Sequence, residues 1–290
     1  MKWKGRRQSS NVEDRRGQTV ARTAGAGVIM NLVGRRFGFK GILILMAVVG
    51  LLWVTGLVDP SAFLGGPVQT QSGPYEATAE EQELMDFVTV VLADTEDIWK
   101  AEFEKRGASY SEPELVVYTG NTNTACGVGQ AQMGPFYCPG DRTVYVDLGF
   151  YEELDQTFQA PGDFAQAYVI AHEVGHHVQT LLGTSQKVHA KQGQPDYNQW
   201  SVRLELQADF YAGVWAHHNS HYLDQGDIEE AMRAANAIGD DAIQGRMRGR
   251  VVPHTFTHGT SDQRMRWFNK GLQTGRMEDG DTFSIPYPQL

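Results

Sequence analysis

Residues 41–58 read GILILMAVVGLLWVTGLV, eighteen positions without one charged side chain. A helix of that length covers about 27 Å, close to the hydrocarbon thickness of a bilayer. Phe37 and Phe39 can extend it, and Trp53 lies near its far end, where an interfacial aromatic belongs. A buried core helix would carry polar positions at helical spacing, and this run carries none. A cleaved signal peptide would have a short basic region and a small-residue cleavage site. Here the basic region runs to residue 40, and Pro60-Ser61-Ala62-Phe63 is a poor site. The run therefore predicts a transmembrane signal anchor. It divides the chain into a basic, largely disordered arm (1–40), the anchor (41–58), a linker rich in Pro, Gly, Ser and Gln (59–78) and a domain (79–290).

Charge follows the same division. The arm carries ten Lys or Arg against only Glu13 and Asp14, a net +8. The whole chain is −10, which leaves −18 on the remaining residues. An acidic domain repels nucleic acid, so no nucleic-acid partner is expected. The basic cluster before the anchor predicts a cytoplasmic N-terminus and an extracytoplasmic domain on a single-pass chain. The two cysteines, Cys126 and Cys138, fit an oxidising compartment. A disulfide between them is the preferred reading; two free thiols and a pair of metal ligands are the alternatives, although their spacing matches no usual structural zinc pattern.

Apolar periodicity predicts helices over 81–103, 198–217, 227–238 and 261–272, with an irregular tail over 273–290. The β-branched and aromatic stretches 114–118 and 143–148 predict short strands. Another helix opens at Pro161-Gly162-Asp163, with Asp163 as N-cap and Gln166 completing a capping box. Ile170, Val174, Val178 and Leu181 give it a buried stripe, and Gly183 stops it. The fold class is α+β and mainly helical, with a small sheet.

In the middle of that helix stands AHEVGHHVQ (171–179), which contains His172-Glu173-Val174-Gly175-His176. Residues four apart share a helix face, so His172 and His176 can offer two imidazoles to one metal. Glu173 lies next to that face, in reach of a water in the metal's open position. His177 points about 100° away and is read as a flanking or packing histidine. The alternative, an ordinary helix, leaves three histidines and a glutamate half-buried without a partner, which is costly. A catalytic zinc keeps three protein ligands and one open position. The extended pattern H-E-x-x-H-x-x-G-x-x-H fails, because position 179 is Gln and position 182 is Leu. The better third ligand is Glu205 on the next helix, with Asp209 four residues on. That E-x-x-x-D arrangement is similar to the one in glutamate-liganded zinc peptidases, where the aspartate orients a zinc-bound histidine. The alternative is a solvated acidic pair, against which Leu204, Leu206, Ala208, Phe210 and Tyr211 argue for burial.

These stretches, together with NVEDRRG (11–17), GPFYCPGDRTVYVDLGFY (134–151), ELQADFYAGVWA (205–216) and HGTSDQRMRWFNKG (258–271), resemble a bacterial family of neutral zinc metallopeptidases with one N-terminal membrane anchor. The resemblance implies a zincin-like domain with an active-site helix, preceded by one transmembrane helix. It implies zinc held by His172, His176 and Glu205, with Glu173 as general base. More distantly, His258 and Arg264 resemble a His-x5-Arg element of prenyl-protein-processing metallopeptidases, although Gly259 stands where that element has proline. This implies that His258 or Arg264 stabilises an oxyanion; the alternative is that Arg264 anchors the last helix and His258 its entry turn.

The expected activity is zinc-dependent hydrolysis of a peptide or protein substrate. His258, Arg264 or Tyr211 would be the oxyanion donor, and residues 143–148 an exposed edge strand that pairs with substrate. A catalytically silent, membrane-tethered zinc-binding module and a hydrolase of a non-peptide amide are the alternatives.

Overall fold

Strand residues alternate between two faces, and the stretches 114–118 and 143–147 bury both. Leu115, Val117, Val144 and Val146 join the main core, while Val116, Tyr118, Tyr145 and Cys138 form a smaller cluster on the opposite face. In the computed structural model these strands belong to a mainly helical α+β architecture. Residues 1–20, 70–72 and 75–290 are described, in two units: Met1–Arg16 with Glu76–Leu290, and Gly17–Tyr75. The elements in chain order begin with β1 (Val12–Asp14), β2 (Gln18–Val20), β3 (Thr70–Ser72), α1 (Ala79–Glu104) and β4 (Glu114–Tyr118). A hairpin of β5 (Asn121–Thr124) and β6 (Gly127–Gln130) precedes β7 (Phe136–Cys138), β8 (Thr143–Asp147) and α2 (Gly149–Gln156). The remainder is helical: α3 (Asp163–Leu181), α4 (Thr184–His189), α5 (Tyr197–His218), α6 (Asp227–Ala237), α7 (Asp240–Arg248) and α8 (Ser261–Thr274).

The four-stranded sheet has the order β1-β4-β8-β7. β1 and β8 run parallel to β4, and β7 pairs antiparallel with β8 through Phe136↔Tyr145 and Cys138↔Thr143. The expected edge strand over 143–148 is therefore corrected: β8 is internal and buried at every position, and the edge beside it is β7. Strand order is a non-local property, so residue pattern alone could not place it. The Cys126–Cys138 disulfide is present and ties the β5–β6 turn to β7. Gly129 of the hairpin lies against the Phe136 ring, so close that a Cβ there would collide with it.

The basic arm needs a second correction. Its first sixteen residues are ordered and belong to the same unit as residues 76–290. Val12, Glu13 and Asp14 pair with Leu115, Val116 and Val117. Trp3 packs edge-on against Phe87 at 5.5 Å. Arg7 reaches Glu96 and Asp97, each at 2.9 Å, while Asn11 donates to Glu96 at 2.9 Å. Of the basic residues that suggested a solvated tail, Lys4, Arg6 and Arg7 pair with Glu83, Asp94, Glu96 and Asp97 of α1. The anchor (41–58), the rest of the arm (21–40) and most of the linker lie outside the described residues. Among those described, no helix is long and apolar enough to cross a membrane.

α3 is almost wholly buried, sandwiched by α1, α5, α6 and the sheet. Gly162, not Asp163, occupies its N-cap, and no capping box forms there. The Glu230 carboxylate of α6 instead accepts from the Phe164 amide at 3.1 Å, and Asp163 binds the Met1 ammonium at 2.8 Å. The expected stop is in place, with Gly183 left-handed at φ 73°. Two close helix crossings set the frame. A Cβ on Gly175 would sit 3.0 Å from the Ala208 carbonyl oxygen, so α3 and α5 touch backbone to backbone. Gly213 of α5 and Gly271 of α8 meet in the same way, each facing the other helix's backbone with no room for a side chain. Gly271→Ala is expected to cost about 1–3 kcal/mol through overpacking. Thermal unfolding would read this as a fall of roughly 2–4 °C per kcal/mol; an unchanged midpoint would contradict the crossing.

Candidate metal centre

Because α3 crosses α5 at Gly175 and Ala208, the face of α3 bearing His172 and His176 meets the face of α5 bearing Glu205 and Asp209. The Nε2 atoms of His172 and His176 lie 3.3 and 3.5 Å from Glu205 Oε2, and one ligand atom from each of the three residues falls within 4.8 Å of the others.

The far nitrogen of each histidine is already committed. His172 Nδ1 is 2.8 Å from Asp209 Oδ1. A carboxylate only accepts, so Nδ1 carries the proton and donates it. The Gln179 amide is oriented by its own bonds: Nε2 donates to the Leu204 carbonyl at 2.7 Å and to Gln207 Oε1 at 3.1 Å. Its Oε1 therefore faces His176 Nδ1, at 2.9 Å, and accepts from it. Both imidazoles are left with an Nε2 lone pair aimed at Glu205. Three acceptors converging on one buried point repel one another unless a cation lies between them. A His₂Glu set with fixed tautomers is the donor chemistry of catalytic zinc.

Asp209 is fully buried and accepts from three residues at once. Tyr168 donates its hydroxyl to Oδ1 at 2.5 Å, and Arg264 grips both oxygens at 2.9 and 3.0 Å. Burial pushes this carboxyl up, but Arg264 and His172 outweigh it and hold its pKa at about 2. For His172, burial opposes the charged form; Asp209 and Glu205 nevertheless raise its pKa to about 10. In the absence of metal, a proton on His172 can thus serve as the cation. Burial raises Glu173 above the usual carboxylate range; its electrostatic neighbours include His172, His176 and Glu205.

The candidates for other roles separate cleanly. Arg264 is buried, spends its guanidinium on Asp209, Tyr168 and the Ile238 carbonyl, and so holds the ligand frame from behind. His258 is half exposed, at 51% of its side chain. Its loop is fixed by Asp240, whose Oδ2 accepts the amides of Thr257, His258 and Gly259 at 2.8, 2.6 and 3.0 Å. Asp240 Oδ1 faces His258 Nδ1 at 3.3 Å, and Glu205 is among the charges His258 senses. Tyr211 packs edge-on against Trp99 in the core at 5.4 Å. His177 lies away from the ligand cluster, between the Tyr137 hydroxyl (3.0 Å) and the Ser111 carbonyl (2.6 Å). Burial lowers its pKa to about 4, so it is a neutral link from α3 to the edge strand. Sequence reasoning missed Gln179 and Gln207, although Gln179 stands three residues after His176, a spacing that shares its face. A second acidic group, Asp163, Asp227 and Glu230, contains no histidine and holds the Met1 ammonium, 2.8 Å from Asp163 and 3.4 Å from Asp227.

The model of the family described as "Putative neutral zinc metallopeptidase" matches residues 1–283, and the chain belongs to that family. It is similar to "Uncharacterized protein YpfJ" of Escherichia coli (strain K12), 49% identical over 289 residues, covering 98% of this chain and 99% of that protein. It is also similar to "Uncharacterized protein Rv2575" of Mycobacterium tuberculosis (strain ATCC 25618 / H37Rv), 44% identical over 188 residues, covering 60% of this chain and 64% of that protein. No solved structure matches it.

Gln179→Leu frees the His176 ring and is expected to weaken zinc binding about 10- to 100-fold in competition with a chromogenic chelator; parental affinity would contradict this role. Arg264→Met strands the buried Asp209 carboxylate. It should cost about 3–5 kcal/mol in denaturant unfolding, whereas a group that merely faced substrate would leave stability unchanged.

Proposed function

We propose that this member of the neutral zinc metallopeptidase family is an endopeptidase whose catalytic residues are His172, His176, Glu205, Glu173 and His258. The observation that carries the reading is the convergence of two Nε2 lone pairs and one carboxylate oxygen, with both Nδ1 protons held from behind. Zinc bound there supplies an acidified water and polarises a carbonyl. Glu173 takes the proton as the water attacks the scissile carbonyl and returns it to the leaving amine. Burial raises the Glu173 carboxyl above the usual carboxylate range, the direction that suits a group that must both accept and release a proton. His258 donates to the developing oxyanion; its backbone and Nδ1 are held by Asp240, so the ring is oriented before substrate arrives. Arg264 takes no part at the substrate, because its donors are spent on Asp209, Tyr168 and a carbonyl.

Substrate backbone adds along β7, the sheet edge beside α3. Tyr137 of that strand bonds His177 of α3, which ties the strand to the helix that carries His172 and His176. A module built on a structural zinc would be closed by a fourth protein ligand. Among the described residues the ligand cluster contains three, and both cysteines are consumed by their disulfide.

The test is cleavage of casein by the full chain with and without chelator, beside two variants. Glu173→Gln should keep its zinc and lose about 10²–10⁴-fold in kcat; undiminished cleavage would overturn its role as base. His258→Ala should lose about 10²–10³-fold in kcat with KM little changed, and an effect confined to KM would move His258 from transition-state to ground-state binding.

A further inference from the structure

We propose that the basic end of α7 and the loop after it, residues 246–251, hold acidic side chains of a polypeptide substrate whose scissile bond lies at His258. The position of the scissile bond rests on the peptidase reading above; the recognition of acidic peptide does not. The sequence isolates this surface. Residues 242–261 contain Arg246, Arg248 and Arg250 and not one Asp or Glu, in a chain whose net charge is −10. Elsewhere arginines are matched to carboxylates: Arg6 to Asp94, Arg7 to Glu96, Arg16 to Asp14, Arg106 to Glu278, Arg264 to Asp209 and Arg276 to Asp279. Arg246, Arg248 and Arg250 are all exposed, and among the described residues none of them pairs with a carboxylate.

Arg246 lies over the Phe158 ring at 5.2 Å. An arginine over a ring face keeps the N–H groups at its edge available to a carboxylate. Apolar side chains are interleaved with these cations: Met247 is 79% exposed and Val251 46%. The complement of such a surface is a peptide in which Asp or Glu alternates with apolar residues, each carboxylate taking a two-pronged bond from a guanidinium. The rest of the chain is acidic and repels such a peptide, so the attraction is confined to this place. A membrane is the poorer occupant, because attachment to anionic lipid draws on clusters of about four to eight basic residues.

Hydrogen bonds fasten the surface to the candidate site. Asp240, the first residue of α7, holds the amides of Thr257, His258 and Gly259. Gln244, one turn further on and buried, accepts from the Val252 amide at 2.8 Å and donates to the Thr255 hydroxyl at 3.0 Å. The loop from the arginines to His258 is thus tied down onto α7. Asn198 donates to the His254 carbonyl at 3.1 Å, two turns ahead of Glu205 on α5. Basic surface, His258 loop and the helix bearing Glu205 therefore share one bonded frame. From Asp240 to Arg248 the helix rises about 12 Å, which extended peptide covers in about four residues. An acidic side chain roughly three to five positions from the scissile bond is placed to meet Arg248 and Arg250.

The test compares two labelled peptides, one with Asp and Glu between apolar residues and one with Asn and Gln in their place. Binding to the full chain is read by fluorescence anisotropy in the Glu173→Gln background, so that cleavage does not intervene. The acidic peptide should bind about 2- to 30-fold tighter at low salt, with the preference shrinking as salt is added. The pair Arg248→Glu and Arg250→Glu should abolish or invert that preference, and the pair Arg248→Lys and Arg250→Lys should keep most of it. Equal binding of the two peptides by the parent chain, or an unchanged preference in the glutamate pair, overturns the proposal. So does loss of binding to phosphatidylglycerol vesicles in the glutamate pair with the peptide preference intact, which would assign the surface to a membrane. With Glu173 restored, the ratio of kcat/KM for the two peptides should change by the same factor between parent and glutamate pair. Absence of chelator-sensitive cleavage with the binding preference intact would overturn the peptidase reading and not the acidic-peptide surface.

Discussion

One buried carboxylate holds the candidate metal centre together. Asp209 of α5 accepts the His172 ring proton from α3, the Tyr168 hydroxyl one turn earlier on α3 and a two-point grip from Arg264 of α8. An ionised carboxylate in that position would be prohibitively costly without partners. With three partner residues it stays ionised and fixes three helices relative to one another. The glycine contacts at Gly175 and at the Gly213–Gly271 pair are what let those helices approach closely enough for such short side chains to meet. Electrostatics and packing are therefore one constraint here: a side chain at any of these glycines would move Glu205 and Asp209 away from the histidines they serve.

The two candidate histidine ligands are supported differently. His172 is backed by a carboxylate that is itself neutralised by Arg264, while His176 is backed by an amide that leads through Gln207 to the Gly280 carbonyl in the C-terminal tail. Outer partners tune ligand basicity as well as orientation, so His172 is the more strongly polarised of the pair. The tail contributes beyond that one bond. Thr282 exchanges hydrogen bonds with the backbone and side chain of Arg203, fastening the last residues along α5. A segment that reads as irregular from its glycines and prolines is in fact a brace on the helix that carries Glu205.

What was legible in the sequence was what depends on spacing within one element. His172 and His176, and Glu205 and Asp209, are pairs four residues apart, and helical geometry alone puts each pair on one face. The long helices were visible for the same reason. What was not legible depends on partners distant in the chain. β1 is three residues in a charged stretch, and only the exposed edge of β4 makes it a strand. β8 takes an interior position that its residues alone do not disclose. Asp163 looks like a helix cap but is bound by the Met1 ammonium, and the cap is provided by Glu230 from another helix. Arg264 and His258 stood as equals in the sequence; burial of one and exposure of the other divides their roles. Gln179 was overlooked because glutamine has no ligand signature of its own; its importance lies in the Nδ1 proton it accepts.

The proposed site has two imidazoles and one carboxylate as its protein ligands and keeps a position open. Zinc K-edge X-ray absorption on the zinc-loaded full chain tests it directly. The expected first shell has two imidazole nitrogens at about 2.0–2.1 Å, oxygen neighbours at about 2.0–2.2 Å and no sulfur. A sulfur neighbour at about 2.3 Å, or a shell closed by a third imidazole, would contradict it.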